Sequence, residues 1–77
     1  MTTMQKSPPI NSANVVNINT ASGRELERIP HVGPKLADEI INFRERHGPF
    51  RRPEHLILIR GFSDARYREV RDFIKTE

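Results

Sequence analysis

His31-Val32-Gly33-Pro34-Lys35 is the stretch that decides how this chain folds. Leu26, Ile29 and Pro30 stand before it. Leu36, Ala37, Ile40, Ile41 and Phe43 follow at helical spacing. The pattern predicts two short helices joined by a tight turn. Pro34 suits the first position of the second helix, where its missing N–H costs nothing. A helix start leaves backbone N–H groups unpaired at the positive end of the dipole. This start is therefore a phosphate-binding candidate before any side chain is counted.

Working outward, Ser22-Gly23-Arg24-Glu25 is a capping-box pattern. It predicts a first helix from about Gly23 to Ile29, stopped by Pro30, which disfavours helical backbone at the residue before it. The second helix is expected from Pro34 to about His47, with Gly48 closing it and Pro49 barring continuation. Pro53 opens a third helix to about Ile59. After the turn Arg60-Gly61-Phe62-Ser63, a fourth starts at about Asp64 with Ser63 as its N-cap. Tyr67, Val70, Phe73 and Ile74 give that helix an inward face. Asp64–Arg68 and Arg68–Asp72 are expected as outer i,i+4 pairs.

The second half repeats the first at an offset of thirty residues. Leu26 matches Leu56, Ile29 matches Ile59, Val32 matches Phe62, Ile40 matches Val70 and Phe43 matches Phe73. A glycine-bearing turn recurs at the same place. Neither copy buries its apolar face alone, so the two should pack face to face about a pseudo-twofold axis. The fold class expected is all-α: four short helices in two units, about 22–47 and 53–76, within a domain covering 15–77. Residues 1–14, polar and with adjacent prolines, read as a disordered tail or linker. Val15, Val16 and Ile18 form an extended lead-in, too brief for an independent strand, that covers one end of the core.

The chain has 77 residues, no cysteine and a net charge of +3, and ten of its thirteen cations are arginine. A domain this small buries only about 60 % of its unfolded surface and leaves no room for an enclosed substrate cavity. Without cysteine there is no disulfide or thiolate metal site. The basic excess favours a polyanionic partner. No apolar run approaches a transmembrane span, and no secretory signal pattern opens the chain. A complete chain is expected in the cytoplasm; a cut domain is expected outside it, held by a membrane anchor. This segment itself is expected to make no membrane contact.

Three stretches resemble a known family: Val16-Asn17-Ile18-Asn19-Thr20-Ala21-Ser22, Leu26 to Ala37, and His47-Gly48-Pro49-Phe50. Together they resemble the tandem helix-hairpin-helix, or (HhH)2, domain of the bacterial competence proteins of the ComEA type, over about Val16 to Lys75. The resemblance implies DNA binding without sequence specificity, in uptake, repair or recombination. Paired hairpins would straddle the minor groove and hold phosphates through backbone amides. Two departures stand out. The family hairpin carries two glycines flanking an apolar residue, whereas here His31 replaces the first glycine of hairpin 1 and Ser63 the second of hairpin 2. Lys35 stands where the family often places a phosphate-contacting lysine, but its repeat partner is Ala65. Asp64, the partner of Pro34, would repel a phosphate at hairpin 2. Hairpin 1 is thus expected to be the better anion site.

The candidate phosphate-binding set is His31, Val32, Gly33, Lys35, Gly61, Ser63, Arg66, Arg51 and Arg52. Against it stand plainer readings: Lys35 paired with Glu39, Arg51 and Arg52 as a solvated pair, His31 as an exposed turn residue. Arg24 and Arg28 read as surface, and Phe62 and Tyr67 as packing residues rather than stacking platforms. His31, His47 and His55 are too scattered for a zinc site, and no cofactor is implied. Relatives hold a cation on hairpin carbonyls, so sodium or potassium is compatible with the sequence, but nothing requires it.

The alternative to DNA binding is a protein-interaction module that has lost it, like the extrinsic photosystem II subunit of the PsbU type, which has a similar fold. No clustered carboxylates or metal-ligand spacing point to an enzyme. An accessory role within a larger enzyme stays open for a fragment.

Overall fold

The computed structural model describes residues 15–77; the tail predicted over 1–14 lies outside the described residues. The elements run β1 (Val16–Asn17), α1 (Gly23–Leu26), α2 (Pro34–His47), a 3-10 helix (Pro53–Leu58), α3 (Asp64–Val70), a second 3-10 helix (Arg71–Phe73) and β2 (Ile74–Lys75). Among the described residues the fold is all-α but for one two-residue parallel pairing, Val16 opposite Ile74 and Asn17 opposite Lys75.

Local chemistry sets the helix starts. At α1 the capping box forms: Glu25 N–H donates to Ser22 Oγ at 3.2 Å, and Ser22 N–H to Glu25 Oε1 at 2.9 Å. At α3, Arg66 N–H donates to Ser63 Oγ at 3.0 Å. At α2, Gly33 is the N-cap and offers no side chain. Gly48 closes α2 at φ +85, donating its N–H to the Arg44 carbonyl.

Three of the expected helices are altered. The first ends at Leu26, not Ile29: ahead of Pro30 the chain tightens through Arg28 N–H to Glu25 O and Ile29 N–H to Leu26 O, both 3.0 Å. The third is a 3-10 helix ending at Leu58, the geometry suited to so short a run between Pro53 and the turn. The fourth ends as an α-helix at Val70, and Ile74 belongs to β2 instead. Tertiary pairing overrides the helical apolar spacing there. β1 recruits the C-terminal backbone, and Ile18 N–H donates to Lys75 O at 3.0 Å. The lead-in forms no independent strand: Val16–Asn17 is a strand because the chain's far end supplies its partner. The Arg68–Asp72 pair does not form, since the α-helical register stops between them.

The thirty-residue repeat is visible in burial. Leu26 and Leu56 are fully buried, as are Ile40 and Val70; Ile29 with Ile59 and Val32 with Phe62 are buried in pairs. Phe43 packs half-buried against this core, and its repeat partner Phe73 is half-buried. Ile18 and Ala21, from the lead-in, are buried members of the same core. Phe50 is buried and stacks on Phe43, ring centroids 4.9 Å apart. Among the described residues no polar or charged side chain is fully buried.

Candidate nucleic-acid interface

The two hairpins are built alike. In each, the second residue after the buried isoleucine (Ile29, Ile59) takes left-handed backbone, His31 at φ +70 and Gly61 at φ +94. The next residue is buried and turns its N–H inward: Val32 to Ile29 O at 3.1 Å, Phe62 to Ile59 O at 3.0 Å. The N-cap follows in extended backbone, Gly33 at φ −94 and Ser63 at φ −78. The units also meet reciprocally. A Cβ on Gly61 would lie 3.3 Å from Leu36 Cδ2 of α2. On the other side His31 reaches α3, with Nε2 3.4 Å from Glu69 Oε1.

This geometry separates the two glycine positions of the motif. The first needs left-handed backbone, which glycine adopts freely and other residues adopt at a cost. Histidine carries that cost at position 31. The second needs nothing of the kind. A Cβ on Gly33 would meet nothing within 4 Å, and Ser63 fills the matching place without strain. Glycine at 33 is not demanded by the protein's own packing.

The helix starts differ most. Among the described residues the N–H groups of Lys35 and Leu36 have no acceptor, and Gly33 adds no cap. Lys35 is exposed and enters no ion pair with Glu39 or any other described acid. At hairpin 2 the Ser63 hydroxyl occupies the Arg66 N–H. The cations of α3 are matched there as well. Arg66 Nε lies 3.7 Å from Glu69 Oε1, and Arg68 Nη2 lies 3.3 Å from Asp64 Oδ2.

The remaining candidates are distributed as follows. Val32 is a core residue whose N–H is used inside the hairpin, so it offers no free donor at the surface. Arg51 is exposed, and Arg52 turns to Glu54 at 3.7 Å. No ion pair or hydrogen bond among the described residues ties either to a hairpin. Phe62 is packed in the core and Tyr67 half-buried against it. Burial pushes the Tyr67 phenol above its ordinary 10.0, and the charge of Glu54 adds to the rise. His47 tilts on the Phe43 ring at 4.5 Å. An open groove of about 450 Å³ between β1, Arg28 and Phe73 contains none of the candidate residues. Among the described residues no three His, Asp or Glu side chains converge as metal ligands, and no helix is long and apolar enough to cross a membrane.

Glu69 escaped the sequence reading. The thirty-residue offset places it opposite Glu39, which marks the position, but nothing along the chain shows that it touches His31.

Comparison with known proteins agrees with this geometry. The model of the helix-hairpin-helix motif matches residues 11–75. The ComE operon protein 1 of Bacillus subtilis is 37% identical over 60 residues, 78% of this chain and 29% of that protein. An uncharacterized protein of Haemophilus influenzae is 37% identical over 60 residues, 77% of this chain and 54% of its own length. The human endonuclease/exonuclease/phosphatase family domain-containing protein 1 is 37% identical over 62 residues, 80% of this chain but 11% of that protein. The chain thus spans about half the length, or less, of these relatives.

Proposed function

This chain belongs to the helix-hairpin-helix family, as a domain of the ComEA type, and on that premise we propose that it binds duplex DNA through the phosphate backbone, without reading sequence. One observation carries the proposal. Among the described residues, the start of the 14-residue α2 has no side-chain cap, the N–H groups of Lys35 and Leu36 have no acceptor and Lys35 enters no ion pair, and Gly33 leaves space where a phosphate oxygen would approach. Helix dipole, backbone donors and a cation converge there on one anion. Hairpin 2, self-capped and charge-matched, is the weaker half. His31, Gly61, Ser63 and Arg66 flank the two starts, while Arg51 and Arg52 serve the backbone from the linker. Contacts of this type position a protein on DNA but do not specify bases. Binding rather than catalysis is the role proposed for the domain, whatever longer protein it serves.

Neutralising about four phosphates gives a slope of log K against log salt near −3.6. A titration of the chain with unrelated duplexes should show equal affinities with that slope. No retention of duplex at ~50 mM salt would refute the proposal. Amide shifts on adding a short duplex should concentrate at Gly33 to Leu36 and be sparse at Phe62 to Arg66. Equal shifts at both would refute the asymmetry.

One observation favours the assembly-module alternative. Ile57 and Leu58 are exposed at 45% and 64%, where the repeat places Glu27 and Arg28. Salt-insensitive capture of a protein partner together with no DNA retention would decide for it.

A further inference from the structure

Glu69 of α3 stands between the two hairpins. Its Oε1 lies 3.4 Å from His31 Nε2 and 3.7 Å from Arg66 Nε. His31 adjoins the open amides of hairpin 1, and Arg66 lies in the first turn after hairpin 2. One carboxylate therefore holds a side chain from each half of the anion surface.

The internal repeat provides the control. Thirty residues earlier the matching acid is Glu39. The residues matching His31 and Arg66 are Gly61 and Leu36, neither of which offers Glu39 a polar group. The clasp thus exists on one side of the pseudo-twofold only, and the histidine at position 31 creates it. The fold does not need it: the His31 and Glu69 side chains are 50% and 57% exposed, and exposed pairs of this kind add little to stability.

We propose that Glu69 is an electrostatic brake on the DNA-binding surface. It neutralises Arg66 and holds His31 in the unliganded protein, and both are released when a polyanion docks. It thereby limits affinity for the DNA backbone and keeps binding reversible. This inference rests on the DNA-binding reading above. Asp64 adds to the effect by occupying Arg68 at 3.3 Å, so α3 presents no uncompensated cation in its first five residues until the brake is released.

The test compares the whole chain with E69Q, with E69A, and with E45Q as a charge-matched control. Glu45 lies far along α2, about 15 Å beyond Lys35 by helix rise. On a mixed-sequence duplex, E69Q and E69A should each tighten binding about fivefold and steepen the salt slope by about one unit, the share of one further phosphate contact. E45Q should change affinity less than about twofold, because a charge more than a Debye length away is screened. In an Arg66→Gln background the added slope should disappear. Equal effects of E69Q and E45Q, or an unchanged slope in E69Q, overturn the brake while leaving the DNA reading intact. Failure of both the wild type and E69Q to retain duplex at ~50 mM salt overturns the two together.

Discussion

The side-chain amide of Asn19 is clasped by the backbone of Phe50: Phe50 N–H donates to Asn19 Oδ1 at 2.7 Å, and Asn19 Nδ2 donates to Phe50 O at 2.9 Å. The same Nδ2 donates its other hydrogen to Thr76 O at 2.9 Å. One residue thus joins the lead-in, the linker between the two hairpin units and the C-terminal segment. The Asn-Ile-Asn-Thr lead-in and the Gly-Pro-Phe linker are two halves of one hydrogen-bonded joint, and the joint is structural. Asn19→Ala should cost about 2 kcal/mol in urea denaturation, because it leaves three part-buried backbone groups without partners. DNA affinity at a temperature where the variant is folded should be unchanged.

Gly33→Ser separates the needs of the fold from those of the ligand. Extended backbone and open space admit the side chain, and its hydroxyl can cap the Leu36 N–H as Ser63 caps Arg66. Stability should rise by a few tenths of a kcal/mol, the usual difference between Ser and Gly at an N-cap. Duplex affinity should fall severalfold, because the cap occupies an amide assigned to phosphate. A variant that is less stable, or that binds DNA equally well, contradicts this role for Gly33.

The left-handed pair offers opposite substitutions. His31→Gly should raise stability by up to about 1 kcal/mol by relieving left-handed backbone at a residue with a Cβ. Gly61→Ala should lower it by about 1 kcal/mol or more, because it adds that strain and brings a Cβ to 3.3 Å from Leu36 Cδ2. Thermal melts of the two variants read both signs directly.

Reversing charge at the two helix starts should have unequal effects. Lys35→Glu should weaken duplex binding about tenfold on unrelated sequences and flatten the salt slope by about one unit. Arg66→Glu should weaken it less, because Glu69 already offsets that cation. A larger loss at Arg66 would reverse the assignment of the main anion site.

Tyr67 should make the protein sensitive to alkali. Its folded-state phenol holds its proton above the ordinary 10.0, through burial first and the charge of Glu54 second. Above 10 the unfolded chain has released that proton while the folded chain keeps it, so the unfolded state gains. The contribution is whole below pH 10 and is lost as pH rises through the folded value. Urea midpoints measured upward from pH 9 should fall more steeply in the wild type than in Tyr67→Phe.

By itself the sequence determined the repeat of two hairpins, the span of α2, and the caps at Ser22 and Ser63, and it marked the start of α2 that we propose as the anion site. These rest on short-range rules: proline at a helix start, serine at a cap, apolar residues at matching offsets. Tertiary structure alone decided three things. It drew Ile74 out of its expected helix, because β1 offered backbone partners from the far end of the chain. It distinguished the two glycine positions, since a pattern of residues does not report which one carries positive φ. It also brought Glu69 to His31, two side chains thirty-eight residues apart that only the packing of one hairpin unit on the other sets side by side.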